Sequence, residues 1–136
     1  MPYPLVDFVL PVLIGVAADA VDQVAIIAPF DMEVVQIQER HKTGSTSGVL
    51  DVVVVPDGSL VSTGTTMLSA TLDLSASSTS ETLRTLSLST ALGARFIPKG
   101  SALGLKFTGT VTNLVNSSIT IYYRQLRKNQ TPVSNE

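Results

Sequence analysis

The sequence predicts an all-β domain: a single antiparallel β-sandwich or jelly roll of about eight strands, led by an extended N-terminal arm. Three observations carry this. Residues 95–127 read RFIPKGSALGLKFTGTVTNLVNSSITIYYRQLR, and in them Leu103, Leu105 and Phe107 alternate with Gly104, Lys106 and Thr108. Ile119, Ile121 and Tyr123 alternate in the same way with Thr120, Tyr122 and Arg124. Period two sends one set of side chains into a core and the other into water. Turn signals also recur at short intervals along the whole chain, with no βαβ alternation and no internal repeat, as expected of a sandwich.

The elements follow in order. Residues 8–18 read FVLPVLIGVAA, an uncharged run. A signal peptide needs a positive leading region, and the only early charge is Asp7. A membrane helix needs about 20 apolar residues, and this run is shorter and interrupted by Pro11. Pro2, Pro4, Pro11 and Gly15 disfavour a helix of any kind. Residues 1–22 are therefore read as an apolar arm, with Phe8, Leu10, Val12, Leu13 and Ile14 as its contact residues. Ordering such an arm costs about as much backbone entropy as burial returns, so most of these side chains must be covered. A neighbouring subunit or larger partner is the expected cover; an ordinary first strand packed on its own sheet is the alternative.

Residues 23–128 form the expected sandwich. Residues 24–28 (VAIIA) make a short strand stopped by Pro29. Residues 32–41 (MEVVQIQERH) favour strand by β-branching and alternation, with Val35 and Ile37 facing one way and Gln36 and Gln38 the other. A loop over 42–48 (KTGSTSG) leads to residues 49–55, the strongest strand, with four consecutive valines. Pro56-Asp57-Gly58 ends it in a turn, because Pro presets φ and Gly accepts positive φ. Leu60 and Val61 suggest a short strand, residues 67–74 another, and residues 83–89 another beyond the polar SASSTSE connection. The tail, residues 129–136, is polar.

Composition limits function. The 136 residues suffice for one domain, and the absence of cysteine excludes disulfides and thiolate metal sites. Net charge is −2 with scattered cations, whereas a nucleic-acid binder clusters them. The densest basic group, Arg124, Arg127 and Lys128, reads as a solvated strand end, so no nucleic-acid partner is expected. Only 15% of residues are charged and mean hydropathy is +0.34. Apolar surface beyond what a core needs usually serves an interface, which points to a homo-oligomer.

No reaction chemistry stands out. His41, between Arg40 and Lys42, reads as a solvated loop residue without an orienting partner. Asp31, Glu33, Asp51 and Asp57 read as turn and surface residues, and no acidic loop has calcium spacing. No catalytic, cofactor or metal residues are assigned, and an enzyme is not expected. The 129–131 and 116–118 triplets match a glycosylation sequon but arise easily in a Ser/Thr-rich chain. Tyr122 faces away from the Ile119, Ile121 and Tyr123 side, so Tyr122 and Arg124 are candidates for a lateral contact. A single exposed ring is slight support for the rival reading, a receptor- or carbohydrate-binding domain.

The order of features resembles a known family. An apolar strand runs into Ala28-Pro29-Phe30-Asp31, and an alternating strand follows. A Gly/Ser/Thr loop leads to a valine-rich strand ending in Pro-Asp-Gly, and Ile97-Pro98-Lys99-Gly100-Ser101 enters the penultimate strand. Over residues 24–127 this is similar to the small jelly-roll decoration (cement) proteins of tailed-bacteriophage heads and to related head-fibre domains. The resemblance implies a structural virion protein on the outer surface of the capsid. Such a protein binds the major capsid protein shell, forms homotrimers or dimers, and needs no cofactor, membrane or nucleic acid.

Overall fold

Residues 7–75 and 81–126 are described in the computed structural model, where the alternating segments pair into ten strands. These are β1 (Asp7–Val16), β2 (Gln23–Ile27), β3 (Met32–Arg40), β4 (Val49–Val55), β5 (Thr65–Thr66), β6 (Leu72–Asp73), β7 (Arg84–Thr85), β8 (Phe96–Ile97), β9 (Ala102–Thr108) and β10 (Val115–Gln125). One sheet has the order β1-β10-β3-β7, with β8 also on β3. The other has the order β2-β9-β4-β5, with β6 also on β4. Every strand pair is antiparallel.

The two-residue strands explain why ten are seen where about eight were expected. β5 and β6 both run along β4, and β7 and β8 both run along β3, so each couple is one interrupted edge strand. Counted that way, the eight strands pass back and forth between the two sheets, apart from β4 and the β5/β6 couple, which follow one another in the same sheet, as in a jelly roll. The Ser/Thr-rich middle of the chain lacks the β-branched run that holds β4 together, so pairing there is patchy. The strand expected at Leu60 and Val61 is instead a 3-10 turn at Val61–Thr63, and β8 was not foreseen.

The expected boundary at residue 22 does not divide the fold. Residues 7–16 are β1, which pairs with β10 from Asp7↔Arg124 to Val16↔Val115. A 3-10 turn at Ala17–Asp19 carries the chain directly to β2 in the facing sheet. Alternation decides this: Leu10, Val12 and Ile14 share one face and pack on the core of their own subunit. The expected polar tail, residues 129–136, lies outside the described residues.

The core lies between the sheets. Ile14, Met32, Ile37, Leu50, Leu103, Leu105, Ile119 and Ile121 are each at most 1% exposed. Tyr123 is buried and Phe107 packs against the same cluster, as the alternation predicts. One expectation along β3 is corrected. Tyr122 pairs with Gln36 while Tyr123 pairs with Val34, so Val35 is the extra residue of a bulge. The bulge resets the pleat, and Val34 and Met32 point inward where Val35 was expected to.

The two lateral sides of the sandwich differ. On one, an isolated bridge joins Leu68 to Leu88, and Ser69 donates its N–H to Ser87 while Ser89 donates to Met67. These bonds link the interrupted edges of the two sheets and close that side. On the other side β1 and β2 are both terminal strands, and among the described residues neither has a second neighbour.

Candidate functional site

The open side carries most of the exposed apolar surface. Ten large apolar residues among those described are exposed, and seven of them fall between residues 8 and 27. Phe8, Val9, Leu13 and Val16 belong to β1. Val21 follows the 3-10 turn, and Val24 and Ile27 belong to β2. Leu13 and Ile27 are the most open, at 65% and 66%. Apolar exposure of this kind, concentrated on the two strands that lack a second neighbour, exceeds what scattered single side chains account for. Residues 7–27, the two strands and the turn between them, contribute Asp7, Asp19 and Asp22 and no cation. Arg124 of β10 lies 3.4 Å from Asp7, and Asp22 Oδ1 accepts the Phe107 N–H.

The five residues expected to make arm contacts separate into two groups. Ile14 is 1% exposed, and Leu10 and Val12 are partly buried against the same core, so all three are held by their own subunit. Leu13 points outward. Phe8 is 38% exposed and closes one end of the core, with its ring stacked on Tyr123 and tilted against Phe30. The residues missed were Val9, Val16, Val21, Val24 and Ile27. Their signal was present: an apolar residue on both faces of an end strand cannot be buried wholly by one sheet. Tyr122 and Arg124 are half-buried on the outer face of β10. The Tyr122 hydroxyl lies 3.4 Å from Gln38 Oε1, and Arg124 is occupied by Asp7.

Beside β2 the outer face of its sheet holds a groove of about 180 Å³, lined by Val24, Ile27, Val55 and Ala102 and by two turns. Both turns have the sequence Pro-X-Gly-Ser. Ser59 donates its N–H to Pro56 O and Ser101 to Pro98 O, each at 3.0 Å, and Gly58 and Gly100 have φ of +84° and +90°. Glycine is required there because the third turn residue is left-handed. Behind the groove Val53, Val55 and Ala102 form a small second cluster on the outer face, covered by Val61. Gly104 lies under this cover, where a Cβ would stand 3.0 Å from Val55 and 3.1 Å from Val61.

Polar residues also enter the interior, contrary to expectation. His41 is 1% exposed, and its Nδ1 lies 2.9 Å from Oε2 of Glu39, which is fully buried. Ser117 donates its hydroxyl to the same oxygen at 2.7 Å. Arg84 stands 3.7 Å from the other carboxylate oxygen and donates to Asp73 O. An ionised carboxylate only accepts, so Nδ1 carries the hydrogen when Glu39 is charged. The group has the residue types of a hydrolytic site, but His41, Glu39 and Ser117 are buried, and it joins β3, β10 and β7. Glu33 is likewise 2% exposed, covered where β8 pairs along β3 and 3.9 Å from Arg95. Asp31 and Asp57 do stand on the surface, Asp31 capping the Lys99 N–H and Asp57 in a turn, whereas Asp51 is half-buried inside β4 and accepts from the Thr66 hydroxyl.

The Asp73 carboxyl is held below its usual range. The Ser75 N–H, donated at 2.8 Å, is the main cause, followed by the Ser75 side chain. Among the described residues, no group of three His, Asp or Glu is placed to hold a metal ion. No helix is long and apolar enough to cross a membrane.

No family model matches the chain, and no curated protein matches it either.

Proposed function

We propose that this chain is a structural protein of a phage virion, one that decorates the outer surface of the capsid and stabilises it by binding the major capsid protein shell. The observation that carries the reading is the one-sided exposure of β1 and β2, where Val9, Leu13, Val24 and Ile27 face outward from an otherwise well-filled jelly roll. Apolar surface of that extent is costly in water and is relieved by docking. The likeness of the strand and turn order to decoration proteins supplies the kind of partner. A protein that binds assembled shell better than free subunits stabilises the shell by mass action. Oligomerisation, as trimers by the same likeness, multiplies the contacts through effective concentration.

The test mixes the purified protein with empty shells that lack it. It should cosediment with shells, leave free capsid subunits in the supernatant and raise the temperature at which shells come apart. Leu13→Asp combined with Ile27→Asp should abolish cosedimentation while leaving the fold intact by circular dichroism. Folded wild-type protein that stays in the supernatant would refute the reading.

A further inference from the structure

Level and charge together indicate how copies of this chain meet. Val115 on β10 pairs with Val16 of β1 on one flank and bridges Thr43 on the other. The corner after β1 and the corner after β3 therefore sit at the same height, on opposite flanks of one sheet. The first corner is apolar and acidic: Val16 and Val21 are 53% and 56% exposed, and Asp19 and Asp22 are exposed beside them. The second carries three cations, two of them next to acids. Arg40 and Lys42 are exposed there, Arg84 pairs with Glu39 on the adjacent strand, and the neighbouring Leu83 is 58% exposed. Glu81, 3.1 Å from Arg40, and Asp73, beside Arg84, are the exposed acids of this corner, and Lys42 adds a further positive charge.

We infer that copies of this chain associate side by side, the Asp19–Asp22 corner of one seated against the Arg40, Lys42 and Leu83 corner of the next. A twofold contact between two open sides would set Asp19 and Asp22 against their own copies, and like charges brought together at an interface are costly. A contact between unlike corners avoids this and matches apolar with apolar at the same level. It is heterologous, so it closes into a ring when the rotation between neighbours permits. Seating Val16 and Val21 on Leu83 covers part of the exposed apolar side and leaves Ile27 and the groove beside β2 free for another partner. The inference is independent of any shell, so it can fail while shell binding stands, and the reverse.

Charge reversal tests it. The mass of the full chain in solution is measured by light scattering after size exclusion for four proteins. The wild type should exceed one chain. Asp19→Lys with Asp22→Lys should give single chains, and so should Arg40→Glu with Lys42→Glu. The fourfold variant, in which both corners are reversed, should recover the wild-type mass. Thermal unfolding confirms that each variant is folded. A wild type that runs as a single chain overturns the inference. So does an Arg40→Glu, Lys42→Glu protein of unchanged mass, since a contact using only the open side would not feel that change. Loss of mass in both double variants without recovery in the fourfold variant overturns it as well.

Discussion

Phe8 lies almost flat on Tyr123, with ring centroids 5.4 Å apart and planes 14° from parallel, and the two are direct partners across β1 and β10. The contact ties the start of the chain to its last strand. Phe8→Ala should destabilise the protein by about 1–3 kcal/mol in a denaturant titration, less than the ~3–5 kcal/mol of a fully buried phenylalanine because the ring is half open. Removing residues 1–22 should do far more. It strips a strand from β10 and uncovers the core beside Ile119 and Ile121, so cooperative unfolding should vanish from the thermal melt.

Ser117 and His41 hold the same carboxylate oxygen of Glu39 inside the protein. Ser117→Ala removes one donor and should cost about 1–2 kcal/mol. His41→Ala leaves a buried carboxylate short of a partner and should cost more, about 3–5 kcal/mol. Chemical denaturation of the two variants gives the order directly.

Asp73 titrates below its unfolded value because the folded state favours its charged form. Its contribution is therefore complete above the unfolded pKa of about 3.9 and is lost as pH falls through the lower folded value. Asp73→Asn should be less stable than wild type at neutral pH, and the gap should narrow below pH ~4. Melting temperatures recorded across that range check it.

Pro11 sits inside β1, opposite Thr120. A proline is tolerated within a sheet only with its nitrogen turned away from the ladder, so it removes a donor from the middle of the open edge. This blunts a long apolar edge that would otherwise template another strand. Pro11→Val should fold but give concentration-dependent larger species in dynamic light scattering, beyond any discrete oligomer of the wild type.

How much of this was legible varies by residue. The valines of β4 and the alternation of Ile119, Ile121 and Tyr123 announce strands, because β-branching and period two leave no competing reading. Pro56-Asp57-Gly58 announces its turn for the same reason: only one geometry suits it. The N-terminal segment was harder. Both faces of β1 are apolar, with Leu10, Val12 and Ile14 inward and Val9, Pro11 and Leu13 outward, so its alternation disappears into a continuous greasy run. That is why an arm was expected where a strand lies. His41 was misread because its chain neighbours are cations. The better guide was two residues back, since Ile37, Glu39 and His41 share one face and Ile37 belongs to the core. The burial of Glu33 depends on β8, a two-residue strand with no pattern of its own.

The pairing of β1 with β10 also governs how the molecule is made. Strand order places β10 between β1 and β3, so both of these wait on a strand made after all the others described. Contacts this far apart in sequence make for slow assembly. β1 thus has no partner in its sheet until β10 is made, and a product lacking β10 carries an unsheltered, sticky surface suited to chaperones and proteases.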